Sequence, residues 1–377
     1  MNIVYKTIIV GGGIAGLSCA HELSEKSGDF LLITKDIGGR IKSSTNGEIN
    51  YGALWVGSNY AHMNRYVKRK RKLNKRKICL YFEGKKTPIL KVIFKYPWQL
   101  LKSLSLAIGF YFRYRRFQKN SEIIGQKQAI ESDPILRKLY FQKAEELVAE
   151  HGIVDFARTV MEPLLYGIMT SKISEETAFQ YQLMSLFMIV GAYEFSFDIN
   201  KFTQPFQHKI LTDEVTTIKK EDKLYSIQTI SGRTLKAQNV VIATPSPIAQ
   251  QLIGLSRINV GKDVYVFHLK GEIKKEYETG SVKFFGYETT PILGMAEEED
   301  SSFLVYSLKK DIDLSQWFKK WEVIALVEWH PVYNDIGKVL LDAHEGKNLW
   351  LIGDENIIGL EDTFITGLYV AHKILHS

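Results

Sequence analysis

Both ends of the chain are built from short apolar runs separated by glycine-rich or polar turns, and the middle follows a different rhythm. Thr7–Val10 is an apolar run that enters Gly11-Gly12-Gly13-Ile14-Ala15-Gly16. Ile14, Leu17, Ala20 and Leu23 then recur on one face, so Leu17–Lys26 is expected to be a helix. Phe30–Ile33 has the continuous apolar pattern of a buried strand. Strand, loop, helix and strand within about 30 residues are the opening of a dinucleotide-binding fold.

From residue 60 to about residue 200 the pattern predicts mostly helix. This region includes the basic run Lys68–Lys77, an apolar and aromatic stretch from Trp98 to Phe117, and a mixed-charge helix over Ser132–Val160. From about Leu211 the period shortens. Tyr225–Thr229, Thr234–Ala237 and Val240–Ala243 read as strands around a Ser231-Gly232 turn. Val264–Leu269, Val282–Phe285, Phe303–Ser307 and Val323–Glu328 read the same way. Leu349–Ile352 leads into Gly353-Asp354, and Phe364–Leu375 closes the chain as a helix. The two ends thus read as parts of one nucleotide-binding unit with other material inserted between them.

Composition narrows the class. The 377 residues are 45% hydrophobic and 24% charged, the balance of a chain that buries a core rather than of a disordered or fibrous one. Two cysteines, Cys19 and Cys79, exclude a disulfide scaffold and make a reducing, cytoplasmic setting the expectation. No apolar run reaches the roughly 20 residues that span a bilayer, and Met1–Val10 lacks the layout of a signal peptide. The net charge of +7 hides an asymmetry. Between Tyr60 and Lys119 stand 18 Lys and Arg against the single acid Glu83, a local +17 that leaves −10 on the rest. Three readings of the basic segments 65–77 and 98–116 stay open: a solvated face, nucleic acid, which no recognised module supports, and an anionic membrane surface.

The candidate chemistry begins at the glycine loop. Gly11 permits a tight turn, Gly13 lets the backbone approach a pyrophosphate, and Gly16 lets helix and sheet pack closely. An acid is expected near the end of the second strand to bind ribose hydroxyls. Here that position reads Thr34-Lys35-Asp36, so Thr34 is the candidate, with Asp36 as a substitute from the loop. Ser18 faintly echoes a nucleophile elbow but sits inside the glycine-loop helix, and that reading is rejected. The nine histidines are scattered without ligand spacing, so no metal site is expected.

Gly38-Gly39-Arg40, Gly52-Ala53-Leu54-Trp55 and Leu349-Trp350-Leu351-Ile352-Gly353-Asp354-Glu355 together resemble the flavin amine oxidase superfamily. That group includes monoamine and polyamine oxidases, protoporphyrinogen oxidases and phytoene desaturases. Glu162-Pro163-Leu164-Leu165-Tyr166-Gly167-Ile168 is most similar to the matching stretch of protoporphyrinogen oxidases. The resemblance implies an α/β fold, with a discontinuous Rossmann-like FAD-binding domain (1–60, 208–255 and 336–377). It also implies an inserted α+β substrate domain (61–207 and 256–335, with 61–207 helical).

It further implies noncovalent FAD, because no cysteine follows Cys79. Gly11, Gly13, Ala15, Gly16 and Thr34 would hold the adenosine diphosphate end, and Val215 the adenine. Gly39 and Arg40 would line the pyrophosphate and flavin, and Gly52, Ala53, Leu54 and Trp55 would run along the isoalloxazine ring. Ala243, Gly353 and Asp354 would close over the cofactor. Thr363, Phe364 and Ile365 would bring a helix N-terminus to the ring edge. The implied activity is hydride abstraction from a C–N or C–C bond of a small apolar or amine substrate, with dioxygen or a quinone-like acceptor. Lys262 is the positional candidate for a catalytic lysine, and Trp329 and Tyr333 for aromatics facing the ring. His330 reads as a packed histidine. A non-redox isomerase resembling UDP-galactopyranose mutase, and a noncatalytic membrane-attached relative, are the alternatives. Oligomeric state is left open.

Overall fold

A computed structural model describes residues 4–377 apart from 46, 83–84, 279 and 287–289. The opening apolar run extends further than its pattern suggests, as β1 (Val4–Gly13), followed by α1 (Ile14–Glu25) and β2 (Phe30–Gly38). After the pieces β3 (Val56–Gly57), β4 (Val67–Lys72), β5 (Ile78–Phe82) and β6 (Lys85–Pro88) comes a helical run. It consists of α2 (Ile89–Ile93), α3 (Pro97–Ile124), α4 (Gln126–Glu131), α5 (Pro134–Phe141), α6 (Ala144–Glu150), α7 (Val154–Phe156), α8 (Glu162–Met169) and α9 (Ala178–Ser185). Then follow β7 (Ala192–Phe197), α10 (Ile199–Thr203), β8 (Ile210–Thr212), β9 (Val215–Glu221), β10 (Leu224–Thr229), β11 (Thr234–Ile242) and α11 (Ser246–Ile253). The remaining elements are β12 (Gly261–Ile273), β13 (Val282–Phe285), β14 (Ile292–Glu297), β15 (Phe303–Ser307), β16 (Phe318–Asn334), β17 (His344–Gly346), β18 (Leu349–Leu351) and α12 (Leu360–Leu375).

Among the described residues there are three sheets. The first has eight strands in the order β17-β18-β11-β1-β2-β8, with the β9–β10 hairpin joined to β11. Its core is parallel and in register, Val10 facing Ile242 on one side and Ile33 on the other. The carboxyl ends of β1, β2 and β11 therefore meet at one edge, where open α/β sheets bind ligands. One face packs on α1 and α12 through Ile9, Leu17, Ala20, Leu32, Val241, Phe364 and Val370. The other packs Ile8, Val10, Ile33 and Ile242 on Ala249 and Leu252 of α11. The mixed α/β fold with a Rossmann-like opening is thus the observed one. The second sheet has seven strands in the order β16-β12-β15-β14-β13-β5-β6, so strands from residues 78–88 complete a sheet made otherwise from 261–334. The third is the small sheet β3-β7-β4.

The sequence pattern is corrected in the insert. The basic run is not an α-helix: Lys75–Lys77 is a single 3-10 turn, and Val67–Lys72 is a strand against β7, where Arg69 lies over the Tyr193 ring and Arg71 reaches Glu194. Cross-strand aromatic and charge partners outweigh the helix propensity of Lys and Arg. The region from 60 to 200 therefore opens and closes with strands. Ser132–Val160 is several short helices rather than one. Asp133 caps α5, with Pro134 at its first turn. The chain turns extended at Gln142 and Lys143, and Gly152 takes a positive φ. Thr234–Ala237 and Val240–Ala243 are one strand, because Asn239 continues the ladder and its amide reaches the Lys6 carbonyl. β9 and β14 escaped the pattern altogether. β9 is lysine-rich, and β14 carries Gly294 where Phe284 of the neighbouring strand lies close.

Candidate functional site

The glycine loop is held by contacts that only glycine allows. Gly11 has φ +112°, and a β-carbon there would lie 2.5 Å from the Ala243 carbonyl oxygen. A β-carbon on Gly16 would lie 2.0 Å from the Gly11 oxygen. Gly13 differs: a β-carbon there meets nothing within 4 Å. It faces open space at the start of α1, whose first turn has neither a side-chain cap nor an acid. The N–H groups and positive dipole end of α1 are therefore available to an anion. The buried Thr244 hydroxyl, next to the Ala243 that packs on Gly11, has no hydrogen-bond partner. Ala15 is buried in the same turn. The residues at this end fit a dinucleotide pyrophosphate.

The ribose end is arranged differently. Thr34 is buried, and its hydroxyl accepts from the Gly12 N–H (3.0 Å) and donates to the Asp36 carbonyl (2.5 Å). Asp36 pairs with Lys42 at the surface (3.0 Å). Val215 is buried at the start of β9, just after Asp213, whose N–H meets the Thr34 carbonyl. The Thr34 hydroxyl, expected to reach a ribose, is thus already paired within the chain, as is the Asp36 carboxylate.

Arg40 joins several predicted residues. Its guanidinium makes a two-point contact with Asp354, both N–O distances 2.6 Å, and donates to the Val332 carbonyl at 2.7 Å. Its own carbonyl accepts from Ala53 N–H (3.1 Å) and lies where a Gly52 β-carbon would stand, 2.0 Å away. Gly39, with φ +52°, stacks on Gly13, and Gly353 N–H donates to the Thr366 hydroxyl at 3.1 Å. The structure therefore gathers the glycine loop, Gly39, Arg40, Gly52, Ala53, Ala243, Gly353 and Asp354 at one edge of the first sheet. Glu355, which sequence reasoning quoted without a role, is buried beside them. One oxygen accepts from the Ser246 hydroxyl and the other is unpartnered. Burial and the neighbouring Asp354 raise its carboxyl to about 8.

The start of α12 serves the core. Thr363, Phe364 and Ile365 are all buried, and the Phe364 ring stacks on Tyr66 and His62. The two acids before them anchor the helix to the insert. The Glu361 carboxylate accepts the N–H groups of Ala61, His62 and Met63 at 2.6–2.9 Å. Asp362 accepts from the Tyr114 hydroxyl, and burial raises its carboxyl to about 7. The Ser18 hydroxyl is likewise structural, donating to the Ala15 and Phe364 carbonyls at 2.9 Å.

The three residues proposed for catalysis are all engaged. The Lys262 ammonium contacts the Thr170 carbonyl (2.9 Å), the Ser171 hydroxyl (3.1 Å) and Glu175 (3.0 Å). The Tyr333 hydroxyl donates to Thr170 Oγ1 at 2.9 Å, and burial raises its pKa. These contacts fasten β12 and β16 to the turn after α8. Trp329 Nε1 donates to the Tyr51 carbonyl at 3.3 Å. His330 is not packed: it is half-exposed between Asp263 and Glu328, which raise its pKa. Both cysteines are buried thiols.

Leu54 and Trp55 form part of the wall of a cavity of about 310 Å³. Six carboxylates line it (Glu48, Glu194, Glu297, Glu298, Glu299 and Asp300) against the single ammonium of Lys70. Lys70 is paired with Glu48, and Arg71 with Glu194 at 2.6 Å. Burial, then the neighbouring Glu194, raises Glu298 to about 7. A hydrogen-bonded chain fixes the acidic turn: Tyr51 Oη to His268 Nδ1 (3.1 Å), His268 Nε2 to Ser302 Oγ (3.0 Å), Ser302 Oγ to Asp300 (2.5 Å). Sequence reasoning missed this cavity. Its one legible signal is Glu297-Glu298-Glu299-Asp300, four consecutive acids in an otherwise mixed region. Among the described residues no cluster could hold a metal ion.

The fold is similar to that of known proteins. The family model of an NAD(P)-binding Rossmann-like domain matches residues 9–69. No curated protein matches the chain in sequence. Among solved structures, putrescine oxidase bound to putrescine superposes with a TM-score of 0.71 over 100% of both chains, at 12% identity. A protoporphyrinogen oxidase-like protein from Exiguobacterium sp. 255-15 gives 0.66 over 100% of both chains, also at 12% identity. A conjugated-linoleic-acid-producing fatty acid isomerase from P. acnes gives 0.69 over 98% of both chains, again at 12%. The chain shares the fold of these three proteins over nearly its whole length.

Proposed function

We propose that the protein is an FAD-dependent oxidoreductase that takes two electrons from a small cationic amine held in the acidic cavity. One observation carries the reading. Leu54 and Trp55, the stretch that the resemblance lays along the isoalloxazine ring, belong to the wall of a cavity that six carboxylates line. A fatty-acid carboxylate or a nucleotide sugar would meet like charge there, which disfavours both isomerase readings. The putrescine oxidase likeness points the same way.

When bound, the flavin supplies an acceptor for a hydride. The protein supplies the rest. Glycine-loop N–H groups and the α1 N-terminus would hold the pyrophosphate. Arg40, fixed by Asp354, would set the edge of the flavin site. The acidic turn at 297–300 would hold the ammonium. An amine gives up a hydride only as the free base, so a proton must leave its nitrogen first. A Glu298 carboxyl near 7 is poised to take it at neutral pH. With both cysteines buried and none after Cys79, FAD would be held noncovalently.

The test is spectral. Purified or FAD-reconstituted protein should show a flavin spectrum that diamines bleach without oxygen and monocarboxylates do not. Glu298→Gln should raise KM for a diamine about tenfold, on the order of the 1–3 kcal/mol of a charged hydrogen bond, with the flavin spectrum unchanged. Protein that stays colourless after reconstitution, or that is bleached equally after the substitution, would refute the reading.

A further inference from the structure

α3 buries one face and leaves the opposite one uncovered. Ser103, Ala107, Phe110, Tyr114, Phe117 and Ser121 are buried. On the other side Trp98 is 76% exposed, Leu101 56%, Ile108 48% and Phe112 68%, with Phe94 at 69% just before the helix. Their spacing of three, four and seven residues makes a single stripe. From Trp98 to Phe112 it runs about 21 Å along the axis. Single exposed apolar residues are ordinary, whereas a continuous stripe marks an interaction surface.

The charge around the stripe is all of one sign. Lys91 and Lys95 precede it, Lys102 flanks it, and Arg116 and Lys119 continue the same face beyond Phe112; all five are exposed. No acid occurs between Glu83 and Glu122. Among the described residues none of these five is in an ion pair. The basic run on β4 is different, since Lys70 and Arg71 are paired with acids at the cavity. Beside the stripe, by contrast, no carboxylate competes for the cations. A lipid interface wants this pattern: aromatic and aliphatic side chains pointing out, with long cationic chains at the ends that reach phosphate headgroups. No helix among the described residues is long and apolar enough to cross a membrane, which leaves α3 in the plane of the interface.

We propose that the outward face of α3 docks the protein on an anionic bilayer surface through Phe94, Trp98, Leu101, Ile108 and Phe112, with Lys91, Lys95, Arg116 and Lys119 on the headgroups. The full chain is sedimented with vesicles of phosphatidylcholine alone or mixed with phosphatidylserine. Protein should pellet with the mixed vesicles, less so as salt rises, and weakly with the neutral ones. The pair Trp98→Ser and Phe112→Ser should lower partitioning at least tenfold, as should Lys91→Glu with Lys95→Glu. All four sites are exposed, so circular dichroism and thermal melting should be unchanged. Equal pelleting of wild type and both variants would overturn the proposal. So would a wild-type dimer in analytical ultracentrifugation that Trp98→Ser with Phe112→Ser converts to monomer, because the stripe would then face a second copy.

Discussion

Gly13 and Gly16 stand three residues apart in one loop and answer to different constraints. Gly16 is glycine because the Gly11 carbonyl occupies the place of a β-carbon, 2.0 Å away. Gly13 has no such neighbour and faces the space a phosphate would enter. The two substitutions should therefore separate folding from binding. Gly16→Ala should lower the melting temperature or abolish soluble protein, since backbone must move to admit the methyl. Gly13→Val should melt within a few degrees of wild type yet lose most bound flavin, read as absorbance per mole of protein. Equal flavin content in Gly13→Val and wild type would show that the loop holds no cofactor. The motif alone gave Gly13 to the pyrophosphate and Gly16 to close packing, while the atoms that enforce the packing, the Gly11 carbonyl at Gly16 and the Ala243-Thr244 backbone at Gly11, needed the path of the chain after β11.

At the level of elements, α12 shows what a linear pattern conveys and what it omits. Its apolar period is plain from Phe364 to Leu375, and the helix forms there. Its start four residues earlier, with Glu361 and Asp362 buried, was not legible. Buried acids are uncommon, and these are explained only by partners 244 to 300 residues away, Tyr114, Gln118 and the N–H groups of 61–63. The strand β4 failed for a related reason, because its partners on β7 lie more than 100 residues on. The glycine-loop strands, by contrast, follow from local apolar runs that need no partner to be recognised. Asp362 carries a testable consequence. Its carboxyl is raised to about 7 in the folded state from an ordinary value near 4. A raised acid favours folding below its unfolded pKa and withdraws that support as pH climbs through the folded one. Asp362→Asn should thus melt close to wild type at pH 5 and above it at pH 9. A melting difference that does not grow with pH would contradict this assignment.

Across the whole molecule, charge is sorted rather than spread. The insert holds the cations, yet part of its basic run turns back to neutralise the acidic turn at 297–300, Arg71 meeting both Glu194 and the Glu297 carbonyl (3.1 Å). The cavity keeps an excess of negative charge to which Glu298 adds as it ionises. Because that carboxyl titrates near 7, diamine KM should fall as pH rises through about 7, and the fall should vanish in Glu298→Gln. A profile unchanged by the substitution would move the titration to another group.

The position of β1 has a further consequence, for the order in which the chain is made. β1 is made before its sheet partners and ends at the centre of the eight-stranded sheet, with α1 covered by α12. Ser18 bonds to Phe364, a partner 346 positions later. On the ribosome, the open edge of β1 must wait for β11 and the apolar face of α1 for α12 before they are covered. Nascent chains of this protein should therefore be long-lived clients of holding chaperones, and the helical insert, whose contacts are largely its own, should be protected from proteolysis well before the nucleotide site exists.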